Sequence, residues 1–195
     1  MNRGVSRFIP ILFITVIVIL VIAAIFSVLG MMFGRDKAPE IVDTSRTELL
    51  SKEASRSVRM TLRGPIVADE NFRSYRVTVS PSDRTFVRYK GYLQNPLIEK
   101  AYTNNARAYE EFVFALDKAG MTNGTQLTGE ADDTRGVCAG GVVYEFDILK
   151  GDKVVKHLWT TSCGRNTGSL KGNVSGLQDL FLTQVPNAAN YIGKD

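Results

Sequence analysis

An uncharged stretch of 27 residues at positions 8–34 constrains this chain more than any other feature. A helix of about 20 apolar residues spans the hydrocarbon core of a bilayer, and a longer helix fits when it tilts. A cleaved secretory signal has an apolar region of only about 7–15 residues and ends in a small-x-small cleavage site. No Ala-x-Ala motif occurs in residues 8–34. We therefore expect an uncleaved transmembrane anchor there rather than a removed signal.

The residues that flank the apolar stretch predict its orientation. The head, residues 1–7, carries Arg3 and Arg7, and the basic bias between the two sides is slight. Lysine and arginine favour the cytoplasmic side, and the short head is the easier segment to retain there. We expect a cytoplasmic amino terminus, a polar linker at 35–43 and one extracytoplasmic domain at 44–195.

The exported part is close to neutral. Arg3 and Arg7 are the only charged side chains before Arg35, so the net charge of +4 falls to +2 for residues 35–195. This composition is not that of a polycation. The segment is long enough to bury the core of one domain.

Period-two alternation predicts three strands near the start of this domain. The first two, "SVRMTLR" and "SYRVTVS", each place apolar residues on one face and polar residues on the other. The third, "RTFVRYKGY", is interpreted with Val87 and Tyr89 on the inner face and Arg88 and Lys90 on the outer face. The second and third strands are expected to form a hairpin.

The later segments predict helices and a second hairpin. In "NNARAYEEFVFALDKAG" one helical stripe follows an asparagine cap, and its residues are Ala108, Phe112, Ala115 and Leu116. Shorter helices are expected near Thr44 and after Ser175. The order α-β-β-β-α-β-β-α predicts an α+β fold, with an antiparallel sheet of about five strands and two or three helices on one side.

Basic residues on the outer faces of the first three strands predict one basic sheet face. Its members are Arg59, Arg63, Arg76, Arg88 and Lys90. Such a face suits lipid headgroups, an anionic surface polymer or nucleic acid. Nucleic acid is the least favoured of the three, because no exposed aromatics interleave the arginines. The alternative is that these are ordinary solvent-facing strand residues.

The second hairpin lies within "GVCAGGVVYEFDILKGDKVVKHLWTTSCG". Placing its turn at the central Gly-Asp pairs Asp147 with Lys156 and Phe146 with His157. This arrangement predicts a charge pair on one face and aromatic residues on the other.

The only two cysteines of the chain flank this hairpin. In strict register Cys138 and Cys163 are diagonal neighbours about 7–8 Å apart, slightly too far for a disulfide. A bulge at Gly140-Gly141 would close that gap, so we expect a structural disulfide. The alternative is a reactive Cys138 with His157 as its base.

Two acids on one strand provide the other candidate for chemistry. Glu145 and Asp147 are two residues apart, about 7 Å along the strand, within the range of paired catalytic carboxylates. The alternative interpretation is a solvated face. The sequence predicts no metal site and no cofactor, because one histidine and two distant cysteines do not suit zinc.

The part of the chain after the apolar stretch contains three further segments that matter for comparison: "SVRMTLRGPIVADENFRSYRVTVSPSDRT", "YTNNARAYEEFVFALDKA" and "DDTRGVCAGGVVYEFDIL…LWTTSCG". Together they resemble an uncharacterised family of single-pass membrane-anchored proteins from small-genome, host-attached bacteria. The resemblance covers nearly the whole exported part and implies a bacterial cell-envelope location. That family has no assigned activity, so the resemblance implies no site residues. Type IV pilins share the general layout, but their Gly-Phe processing site is missing from this sequence.

These patterns favour a non-enzymatic, membrane-tethered binding or interaction module of the cell envelope. One alternative is an envelope hydrolase that uses Glu145 with Asp147, or Cys138 with His157. Another is a pilin-like or oligomeric structural subunit, in which Gly30 and Gly34, at helix-packing spacing, join two copies.

Overall fold

The computed structural model describes four parts of the chain: residues 16–22, 24, 44–164 and 168–192. The chain divides into two compact units, Met1–Val42 and Asp43–Asp195. In the first unit residues 16–22 and 24 are helical, with exposed side chains. No helix in the described ranges is long and apolar enough to cross a membrane.

Most of the predicted anchor therefore stays a prediction. The remainder of 8–34, including Gly30 and Gly34, lies outside the described residues, as do the head 1–7 and the linker 35–43.

The second unit is an α+β domain built on one antiparallel sheet, which confirms the predicted fold class. The sheet has six strands rather than about five: β1 Arg56–Arg63, β2 Arg73–Val79, β3 Asp83–Lys90, β4 Asn95–Thr103, β5 Val143–Lys150 and β6 Lys153–Thr161. Their order is β4-β3-β2-β1-β5-β6. The helices are α1 Ser45–Leu49, α2 Ala106–Lys118, α3 Val174–Thr183 and α4 Ala189–Ile192, with short 3-10 turns at Asp69–Asn71 and Gly129–Asp132.

The additional strand is β4, at one edge of the sheet. Its side chains are exposed except for partly buried Ile98 and Tyr102, so its sequence shows little of the alternation that identifies a half-buried strand. Pro96 also argues against a strand, although an edge strand tolerates proline because one of its sides needs no ladder partner.

One face of the sheet carries the core. The Asn105 side chain caps α2 by accepting from the backbone N–H of Ala108 at 2.9 Å. The ring of Phe112 on α2 meets that of Phe181 on α3 edge-on, with centroids 5.3 Å apart. Phe181 in turn lies 6.1 Å from Phe146 of β5. The helices α2 and α3 thus pack on the same side of the sheet.

The helical stripe of α2 differs slightly from the predicted one. Its buried residues are Tyr109, Phe112, Val113 and Leu116. Ala108 is exposed. The larger Tyr109 and Val113 occupy the side that faces the core, because burying them removes more apolar surface from water.

The predicted faces of β3 are wrong. Val77 of β2 is buried in the core and pairs with Phe86, so Phe86 and Arg88 lie on the core side and Val87 on the other. Arg88 is only 8% exposed. The segment Phe-Val-Arg-Tyr is apolar at both parities, and alternation alone does not choose between them.

The predicted register of the β5–β6 hairpin is also wrong, by one residue. A bulge between Ile148 and Leu149 shifts the pairing, so Asp147 faces His157 and Ile148 faces Lys156. Register depends on such insertions, which leave no mark in the alternation of a short strand.

Candidate binding surface

The sheet face opposite the helices, called the open face below, carries most of the polar residues singled out in the sequence. The strand pairings place the following side chains on it: Arg59, Thr61, Arg63, Arg76, Glu145, Asp147 and His157. They alternate along each strand with core residues, and the open face is therefore built by the same periodicity that builds the core.

Asp147 is the centre of a charged cluster on this face. One of its carboxylate oxygens accepts from Nε of Arg59 at 2.8 Å, and the other lies 2.6 Å from Nδ1 of His157. Asp147 is 3% exposed, while both partners keep some contact with solvent. A carboxylate this deep needs such partners, because an unpaired buried charge is costly.

The surroundings shift the pKa values of both titrating groups. Burial opposes the ionisation of Asp147, but His157 and Arg59 outweigh it and lower the pKa of that carboxyl. The hydrogen bond to Asp147 raises the pKa of His157 against the opposing effect of its own burial. The negative charges of Asp132 and Glu145 act in the same raising direction.

Stability is expected to fall as the pH rises through the folded-state pKa of His157. Because its pKa is raised in the folded state, protonation of His157 stabilises the fold. This contribution is fully present below the pKa of histidine in the unfolded chain, about 6.5, and is lost as the pH rises through the pKa in the folded state. Urea unfolding measured between pH 6 and pH 9 checks the effect. His157→Asn provides the control, because it retains an N–H donor but does not titrate, and its curve should be flat in this interval. An equally steep decline in both proteins would contradict the assignment.

A second ion pair binds the open face to the loop before β5. Nε of Arg63 lies 3.4 Å from Glu145, and its guanidinium also donates to Thr134. The Thr134 hydroxyl donates to the same carboxylate of Glu145 at 2.9 Å. Part of the loop thus packs on the sheet.

The lone tryptophan of the chain is buried by the same loop. The indole N–H of Trp159 donates to Asp132 at 3.1 Å, and the side chain is almost fully buried. Gly168 packs against Trp159 with φ +64, where a Cβ would lie within 2.2 Å of the backbone oxygen of Trp159. The β6 end of the open face is therefore covered.

The basic face predicted from the sequence is only partly present. Arg59 and Arg63 share the open face, but each is paired with a carboxylate. Arg76 contacts the neutral oxygens of Thr61, Tyr89 and Gln94. The placement of the other two residues was wrong: Arg88 and Lys90 belong to the opposite, core-side parity.

The cysteines form the expected disulfide. The Cα atoms of Cys138 and Cys163 are 5.6 Å apart, well inside the range for a bridge. A turn over residues 135–140 brings Cys138 close to Cys163, where the sequence analysis expected a bulge in a strand. A Cβ on Gly141 would lie 2.7 Å from Sγ of Cys138, so glycine is needed beside the bridge. The proposed pairing of a reactive Cys138 with His157 is wrong, because Cys138 has no free thiol.

A cavity of about 200 Å³ lies beside this disulfide. Its apolar walls come from Ile66, Phe72, Tyr92, Cys138 and Val143. The rings of Phe72 and Tyr92 stack with centroids 4.1 Å apart.

Polar groups line the remainder of the cavity. These are Arg63, Gln94, Thr134 and Arg135. Gln94 has φ +55, an uncommon conformation for a residue other than glycine. An apolar pocket with a few convergent polar groups is the usual form of a binding site.

Sequence reasoning missed this cavity, although one signal pointed to it. Ile66-Val67 and Tyr92-Leu93 place large apolar residues in connections between strands, where polar residues are normal. The cavity is lined by residues of three segments, 63–72, 92–94 and 134–143, which are far apart in sequence and meet only in the folded domain.

In comparisons with known proteins, no family model matches the chain and no curated protein matches it.

Proposed function

We propose that residues 44–192 form a non-enzymatic binding module, and that residues 8–34 hold it on the outer side of a cell membrane. The observation that carries the binding role is the cavity beside the disulfide, with its apolar walls and arginine-bearing rim. The disulfide supports the location, because such bridges persist in oxidising compartments.

The state of the acids supports a role other than catalysis. Glu145 and Asp147 are each held by an arginine, and neither lines the cavity. The pKa of Asp147 is lowered, whereas a general acid needs a raised one. Each carboxylate is thus suited to holding its strand neighbours in place.

Site-directed photocrosslinking on intact cells tests both parts of this proposal. We place p-benzoylphenylalanine at Leu93, an 87% exposed residue next to the cavity, and, as a control, at Phe114 on α2. One discrete adduct of larger mass is expected from position 93 and not from position 114. An impermeant protease, added to half of the cells before irradiation, is expected to remove it.

Four outcomes would contradict the proposal. Equal adducts from both positions would argue against a specific surface, and no adduct at all would argue against a binding role. An adduct that the protease leaves intact would place the domain on the other side of the membrane. An adduct of two copies of the chain would favour the structural-subunit alternative.

A further inference from the structure

We propose that the cavity takes one large apolar side chain of a partner polypeptide, and that acidic residues flank this side chain in the partner. The inference rests on the proposed function, since it names the ligand class of the same site. Its basis is the size of the cavity, the apolar surface that continues around it and the charge of its rim.

The size of the cavity limits what enters it. Pockets for small molecules usually enclose roughly 300–1,000 Å³. The volume here is about 200 Å³, which suits a single aromatic or large aliphatic side chain. Stacked Phe72 and Tyr92 form one wall, and an incoming ring can pack against their faces or edges.

The apolar surface does not end at the mouth of the cavity. Ile66 is 52% exposed, and the neighbouring Val67, Tyr92 and Leu93 are also exposed. The Tyr92 hydroxyl donates to the backbone oxygen of Val67 at 2.7 Å and accepts from its N–H at 3.1 Å, and the two loops are thereby joined. A ligand that covers this rim must extend beyond the cavity, as a polypeptide does and a small molecule does not.

The charged residues in and beside the cavity lining determine which residues are favoured next to the inserted side chain of the partner. Of the described residues that line the cavity, two are arginines, Arg63 and Arg135, and none is acidic. A third, Arg76, donates to the Gln94 side chain at 3.4 Å, which places its charge next to the lining. Arg63 and Arg135 already contact Glu145 and Asp133. Those two charges are compensated, whereas Arg76 donates hydrogen bonds only to neutral oxygens of the described residues. The charge of Arg76 therefore favours acidic residues in the partner over basic ones.

Gln94 supplies an orienting group. Gln94 lines the cavity, and its backbone holds the positive φ that residues other than glycine rarely adopt. Such conformations persist where the surrounding structure holds them, and they cluster at ligand clamps. The amide can donate to a backbone carbonyl of the bound segment while its oxygen accepts from Arg76.

Selection from a random heptapeptide library tests the ligand class. The full chain is reconstituted in phosphatidylcholine nanodiscs, and bound peptides are sequenced. We expect enrichment of peptides in which an aromatic or large aliphatic residue lies within two positions of Asp or Glu. The synthetic form of the most enriched peptide is then used for affinity measurements.

Two variants and two matched controls locate the binding. Ile66→Asp should weaken the selected peptide about thirtyfold or more, as expected for a central contact. Arg135→Glu should weaken it about fivefold, and more at low salt. The controls Phe114→Asp and Arg107→Glu change comparably exposed residues of α2 in the same way and should leave the affinity unchanged. Thermal unfolding of each variant verifies that it folds.

The outcomes separate this inference from the proposed function. Enrichment of basic or purely polar peptides, or of peptides insensitive to Ile66→Asp, would overturn the ligand class. The proposal that the domain is a binding module would still hold in that case if position 93 crosslinks to a partner. An adduct that forms equally well in the Ile66→Asp background would also overturn the inference, because the partner would then not use the cavity.

Discussion

Replacing Cys138 and Cys163 together with serine is expected to lower the free energy of unfolding by about 3 kcal/mol. The bridge joins residues 25 positions apart, and restricting a loop of that length in the unfolded chain stabilises a fold by at most about 3.5 kcal/mol. The measurement is urea unfolding of the full chain, followed by the fluorescence of Trp159, the single tryptophan.

The reduced wild-type protein is the control for this change. A reducing agent should destabilise the wild type by nearly the same amount and have no effect on the double serine variant. A loss below about 1 kcal/mol, or an equal response of both proteins to the reductant, would show that the bridge contributes little. The turn over residues 135–140 would then be held by other contacts, such as the bond from the Ile66 N–H to the Ala139 oxygen.

Asp147→Ala is expected to lower the free energy of unfolding by about 3 kcal/mol. Removing one member of a buried ion pair typically costs about 3–5 kcal/mol, because the remaining charge is left without its partner. In this protein Asp147→Ala leaves both Arg59 and His157 without their carboxylate partner. Their side chains are 24% and 21% exposed, so solvent reaches both and the low end of the range applies.

Two further substitutions isolate the role of the charge. Asp147→Asn keeps an oxygen acceptor at the same place and should cost about half as much. Asp179→Ala, on the exposed side of α3, removes the same kind of charge and should change stability by less than about 0.5 kcal/mol. A cost for Asp147→Ala no larger than that of Asp179→Ala would contradict the central place of Asp147 on the open face.

The parts of the fold that sequence reasoning predicted are those with strong local patterns. The helix α2 combines a 3.6-residue apolar period with an asparagine cap. The sequences of β1 and β2 alternate between apolar and polar residues, because one face of each strand packs in the core. The disulfide was predictable because only two cysteines exist and both flank one hairpin.

The errors have equally definite physical causes. β4 has little buried surface and thus no pattern, β3 is apolar at both parities, and one inserted residue shifts the β5–β6 register. Because of that shift, the partner of Asp147 is His157 and not the predicted Lys156, and the charged cluster on the open face forms. No local pattern carries this information, because it depends on how two strands align.

The residues of the candidate site were also predictable where a local pattern exists and not where tertiary structure brings them together. Arg59, Arg63 and Arg76 were correctly assigned to one face, yet the acids of β5 that pair with two of them become neighbours only through the pairing of β1 with β5. The cavity is formed by residues from three distant segments, represented by Ile66, Tyr92 and Val143. Tertiary structure alone brings those segments together.

The position of β1 inside the sheet affects how a new copy of this protein matures. As the chain is made and exported, β1 to β4 can pair in turn, since each follows its neighbour in the sheet directly along the sequence. The second edge of β1 must wait for β5, whose Asp147 lies 88 residues after Arg59. Until then it presents unpaired backbone groups, which readily capture strands of other chains. Each nascent molecule is therefore vulnerable to aggregation during that interval, and shielding by a chaperone is most valuable there.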